Sequence, residues 1–332
     1  MSDPNQQFHP PPPPAVEAEP ERRRVTNLLW AGIGLFVVGI IILILSILNI
    51  FPGAGGMGGA LFVLGVMFIG FSFMRLPAIP DAPPPMSTVG ALTGIFFEPT
   101  NVFRNLRAHP KWVAPILLAG VLNGAYLTAF YARLTPDRIV NFTYEKLADS
   151  PIKPPPEAME TARVQELEKQ KSIGGRIGRV VTAICSVFFG VAFVAALMLL
   201  GTLAFGGRMH YWQAFSVMAF VIFPVTLIQK AISLIILYLK SPDDIHPLIG
   251  QETLVYDNLG LLVSSKDHPV IYVTLAAIGV LALYRLWLFA TGVREGGYKV
   301  SNTAAWSVAI SVFVLFLLFG MAAAAIFPSF LG

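Results

Sequence analysis

GALTGIFFEPTNVFRNLRAHPKWVAP, residues 90–115, is the stretch on which the reading of the chain turns. Two apolar runs precede it and five follow. Its own composition fits neither a loop nor a membrane span. Phe96, Phe97, Val102, Phe103 and Leu106 alternate with Glu98, Arg104, Arg107 and Lys111. Pro99 suits the first turn of a helix, because the proline nitrogen would lack a partner there anyway. From that start Val102, Phe103 and Leu106 share one helical face, and Arg104, Asn105 and Arg107 lie off it. Pro110 ends the helix, since the residue before a proline is pushed out of the α region. The spacing predicts an interfacial helix over 99–108, half-immersed between lipid and cytosol. A solvated linker is the competing reading.

Composition supports the membrane around this helix. The chain has 332 residues, 55% of them hydrophobic and only 13% charged, with mean hydropathy +0.68. A soluble chain of this size carries about a quarter charged residues. The missing charge corresponds to apolar runs near the ~20 residues that cross a bilayer. The net charge of +4 belongs mostly to the flanks of these runs. It reads as topology, with no nucleic acid implied. The single cysteine, Cys185, lies inside an apolar run and reads as a packing residue.

Taken in order, residues 1–27 read as a disordered proline-rich cytosolic arm, with five prolines at Pro10 to Pro14. Residues 28–75 form a two-span hairpin, from Leu28 to Phe51 and from Gly58 to Met74, joined by PGAGGMGG. A proline-rich linker occupies 76–89. Five spans then follow over residues 90–328: Trp112–Tyr131, Val180–Phe205, Tyr211–Leu239, Pro269–Thr291 and Thr303–Phe327. The fold class is an all-α integral membrane protein of seven transmembrane helices. Arginine and lysine near the span ends place the N-terminus in the cytosol and the C-terminus outside. The 132–179 loop disagrees, with nine basic residues among seven acids.

Several separated segments resemble the Yip domain family, membrane proteins named for binding Ypt/Rab GTPases. They are GIFFEPTNVFRNLRAHPKWVAP at 94–115, FPVTL at 223–227 and LWLFATGVREGGYKVSNTAA at 286–305. The resemblance covers about residues 90–328 and the five spans there, and leaves the first two spans as an addition. One departure stands out: Gly279, in IGVLALYRLW, occupies the place where bacterial relatives would carry an acid. The resemblance implies a non-enzymatic scaffold that organises membrane or binds membrane-associated protein partners. A bacterial plasma membrane is the expected location.

Chemistry-bearing residues are few. Ionisable groups within spans are functional candidates, because inserting them costs at least about 2.5 kcal/mol each. Lys230 and Arg285 qualify, and no carboxylate lies within a span to pair with either. Each can snorkel towards a headgroup region, and Arg285 could alternatively reach Glu98. Pro224 before Gln229 and Lys230 leaves open a broken-helix site of a small-solute transporter or channel. Asn123 is the remaining polar candidate in a span. Asp243, Asp244 and His246 are the one acid–histidine cluster, read either as a metal site or as a solvated turn. No catalytic pair, metal set or cofactor motif is expected. The candidate contact residues are Phe96, Phe97, Pro99, Phe103, Arg104, Leu106 and Arg107, facing lipid or a partner. Trp112, Tyr211, Trp212 and Trp287 read as interfacial anchors.

Overall fold

A computed structural model describes residues 22–24, 27–77, 79, 82–151 and 154–331. Most of the proline-rich arm, including Pro10 to Pro14, lies outside the described residues. Arg22–Arg24 pairs antiparallel with Arg75–Pro77 as a short ribbon, β1 with β2. Everything else regular is helical, as expected of an all-α multi-pass membrane protein.

Among the described residues six helices are long and apolar enough to cross a membrane. Two form the N-terminal hairpin, α1 (Leu29–Ile47) and α2 (Gly55–Ser72). Glycines set their close approach: a Cβ at Gly39 would sit 2.5 Å from the Phe62 amide, and one at Gly32 would sit 2.8 Å from that of Ile69. Two short helices follow, α3 (Thr88–Phe97) and α4 (Pro99–Ala108). The next long helix is α5 (Val113–Leu134), after which α6 (Pro136–Ala148) and α7 (Pro156–Lys171) form a polar pair. The remaining long helices are α8 (Ile173–Ala204), α9 (Tyr211–Leu239) and, at the end, α13 (Asn302–Ile326).

The run expected as one span at Pro269–Thr291 is split. It consists of α11 (Pro269–Ala276) and α12 (Val280–Gly296), preceded by a single turn, α10 (Ile249–Glu252). The split has a physical cause. Asp257 accepts from the Leu281 amide at 2.6 Å through its carboxylate and from the Val280 amide through its carbonyl. A new helix therefore starts at Val280. Gly279 admits the crossing chain, since a Cβ there would lie 3.0 Å from the Asp257 carbonyl oxygen. The two pieces still run along α13: Val273 lies beside Gly320, and Arg294 reaches Asn302 at 3.3 Å. The break anticipated at Pro224 is absent, and α9 continues through it.

The main core is formed by residues of α2, α3, α4, α5, α8, α9, α12 and α13. At one end of it Phe71, Trp112, Phe188, Trp212 and Phe215 share ring contacts, Trp112 lying nearly parallel to Trp212 at 6.1 Å. Trp112 and Trp212 are 5% and 2% exposed, so they are core residues rather than interfacial anchors. Through Phe71 this cluster binds the N-terminal hairpin to the rest. A smaller core joins Tyr126, Phe130 and Leu134 to Leu237, Ile245 and Leu254 at the opposite end.

Candidate functional site

The helix over 99–108 forms where expected, and its surroundings differ from expectation. Pro99 is its first residue, and Glu98, with φ −135° and ψ 55°, leaves the helical region between α3 and α4. Val102, Phe103 and Leu106 are at most 1% exposed. They are packed in the main core with residues of α9 and α12, so this apolar face is covered by protein. Sequence periodicity marks a face as covered without saying by what. Phe96 also turns inward, its ring 6.1 Å from that of Phe223. Phe97 turns outward and is 84% exposed.

Polar contacts fix α4 on three sides. Arg104 pairs with Glu295 at 3.1 Å, and Arg294 holds the same carboxylate group at 2.9 Å. Arg107 donates to the Gly297 carbonyl at 3.4 Å, and its own carbonyl accepts from Gln213 at 2.8 Å. Gln213 also accepts from the His210 amide, closing the start of α9. Buried Asn105 donates to the Pro84 carbonyl at 2.8 Å and accepts from the Met86 amide at 3.1 Å, which seats the linker on α4. Lys111 donates to the Met86 carbonyl as well.

Asn105, Gln213 and Glu295 were not singled out from sequence. Gln213 carried a local signal, three residues into a helix. Asn105 and Glu295 act on partners far along the chain and carried none. Gly292 and Gly296 did carry one, as a G-x-x-x-G pair. A Cβ at Gly296 would lie 2.5 Å from the Val217 side chain, and one at Gly292 would also meet it. The close α9–α12 crossing depends on both.

The result is a basic face at one end of the bundle. Arg104, Arg208, Lys299 and Arg75 are exposed on it, as are Phe97 and Val89, while Glu98 and Glu295 are its acids. Burial pushes the His210 imidazole below its usual value.

The intramembrane candidates lie elsewhere. Lys230 is 6% exposed, donates to the Glu252 carbonyl at 2.5 Å and sits 4.4 Å from the centre of the Tyr126 ring. It does not snorkel. Next to it Ser233 accepts from the Leu254 amide at 3.0 Å, and Tyr126 donates to the Gly250 carbonyl. These groups pin the 249–254 loop to α5 and α9. Asn123 donates to the Ala183 carbonyl across the α5–α8 contact at 3.4 Å. Arg285 is exposed and meets neither Glu98 nor any other ion-pair partner among the described residues; Glu98 instead accepts from Asn101. His246 accepts from the Leu248 and Ile249 amides through Nδ1, its ring set edge-on to Phe142. Among the described residues no group of three histidine, cysteine or carboxylate side chains is placed to hold a metal.

The three segments that carried the resemblance thus meet around α4: residues 94–115 supply it, 223–227 back Phe96, and 286–305 supply Arg294, Glu295 and the glycines. No curated protein and no solved structure matches the chain. The family model of the Yip1 domain matches residues 93–324, and the chain is a member of that membrane-protein family.

Proposed function

We propose that the protein is a non-enzymatic membrane scaffold that docks membrane-associated protein partners on the α3–α4 face. The observation that carries this reading is Phe97. A large apolar ring is 84% exposed at the end of α3, directly before α4 with its exposed Arg104, on helices whose opposite sides are locked in the core. An exposed aromatic within a charged rim, on a rigid element, suits a protein interface. Isolated exposed apolar residues are common, and here the rigid setting gives this one its weight.

Charge supports an orientation. Arg75, Arg104, Arg107, Lys111, Arg208, Arg294 and Lys299 gather at this end, and the turn at 52–59 at the other end carries no base, against the nine basic residues among seven acids in 132–179. In this reading the α3–α4 face and the N-terminus are cytosolic, α11 with α12 completes a seventh crossing, and residues 240–268 lie outside. A bacterial plasma membrane is the membrane we assign. Lys230 is engaged by the Glu252 carbonyl, which favours a structural role over solute transport.

The test is photocrosslinking from position 97 in native membranes, followed by capture and identification. The reading predicts specific crosslinked partners that are lost in Arg104→Glu while the protein still reaches the membrane. Crosslinks to lipid alone, unchanged by Arg104→Glu, would contradict it.

A further inference from the structure

Arg285 has a charge that nothing near it answers. It stands on α12 five residues beyond Val280, where the split helix restarts. At ~1.5 Å per residue this is roughly 7–8 Å along the axis, on the exposed side of α12. Among the described residues it makes no ion pair. Two acids, Glu252 and Asp257, lie on the walls of a cavity that Arg285 also borders, and neither pairs with it. The Asp257 carboxylate caps the Leu281 amide, and the backbone carbonyl of Glu252 accepts from the Lys230 ammonium.

Two cavities meet at this side chain. One, of about 350 Å³, is polar and includes Gln229, Thr253, Asn258 and the acids Glu252 and Asp257 in its walls. The other, of about 280 Å³, lies between α8, α9, α12 and α13, with walls such as Val194, Ile222, Phe289 and Phe313. Apart from Arg285 its named walls are apolar. Ala282 and Phe316 border both cavities. A guanidinium at the junction of a polar chamber and an oily groove matches one class of molecule: an anionic head with a hydrocarbon tail.

We propose that this junction binds a phosphate-bearing membrane lipid. Arg285 donates to the phosphate oxygens in a forked, charge-assisted contact. Gln229 and Asn258 offer further polar groups to the head, and one acyl chain follows the apolar groove between α9 and α13. The split of α11 from α12 makes room for the head, since it brings the 255–258 segment down beside the start of α12. Lipid bound here would be an integral part of the protein, separate from lipid that merely surrounds it.

The experiment is native mass spectrometry of the full chain in detergent, titrated separately with phosphatidylglycerol and with oleate. Arg285→Gln removes the charge, Ala282→Phe fills the junction, and Arg208→Gln alters a cation at the far basic end. Circular dichroism and thermal unfolding establish that each variant is folded. Arg285→Gln and Ala282→Phe are each expected to weaken phosphatidylglycerol retention about tenfold, with Arg208→Gln unchanged. Equal retention in all variants would overturn the site. Sensitivity confined to oleate would overturn the phospholipid and leave a fatty acid as the occupant.

Discussion

Removing the ammonium of Lys230 leaves the Glu252 carbonyl without its donor inside the bundle. A buried acceptor stranded in this way costs about 1–3 kcal/mol. Lys230→Met is therefore expected to lower the thermal unfolding midpoint and to free the 249–254 loop; an unchanged midpoint would contradict the tether. The cation itself was legible, since a lysine within an apolar run is conspicuous. Its partner was not, because a backbone carbonyl 22 residues on has no signature in sequence. His246 gives a pH-dependent counterpart. Burial, and after it the Lys146 ammonium, hold this imidazole below its usual value. A lowered folded value means that the unfolded chain takes up the proton first. The contribution is thus complete above the usual value of about 6.5 and is lost as pH falls below it towards the folded value. A proton on Nδ1 would also displace the Leu248 and Ile249 amides. Their hydrogen exchange, corrected for the intrinsic rate, should quicken as pH falls below the usual imidazole value of about 6.5, with no such step in His246→Gln.

Among elements, α4 shows what periodicity conveys. Its amphipathic stripe predicted both the helix and the covered face. Whether lipid or protein covers that face depends on where distant helices pack, which the stripe does not encode. Phe103→Glu would bury an unpaired charge against α9 and α12 and is expected to destabilise the protein by more than about 3 kcal/mol. Phe97→Glu, six residues earlier and exposed, should leave the unfolding free energy within about 0.5 kcal/mol of the original. Equal effects of the two would show that the helix is seated otherwise. The α9–α12 crossing makes a second prediction. Gly292→Val would force the Val217 contact apart, with overpacking costs of about 1–3 kcal/mol. Disulfide formation between cysteines placed at 217 and 292 reads the distance directly, in a Cys185→Ala background. The split before α12 was the least legible element. Gly279 drew notice as a departure from the family, but the cap that restarts the helix comes from Asp257, across a turn of the fold.

For the whole molecule, the aromatic cluster around Phe71 and Trp212 alters how the first two spans are understood. Sequence treated them as an addition to a five-span core, and flanking tryptophans looked like surface anchors. The rings of Trp112 and Trp212 face inward instead, while Trp287 stays exposed, and the hairpin shares the core through Phe71. Composition was enough to place the chain in a membrane and nearly enough to count its crossings; the split run is where counting by apolar length falters, because eight residues of α11 are too few by themselves. The account rests on α11 and α12 together completing a crossing, with the basic α3–α4 face on the same side as the N-terminus. Single cysteines at positions 97, 265 and 329, in a Cys185→Ala background, can be labelled in intact cells with a membrane-impermeant maleimide. The account predicts labelling at 265 and 329 from outside and at 97 only after the membrane is opened; labelling of 97 and 329 from the same side would contradict it.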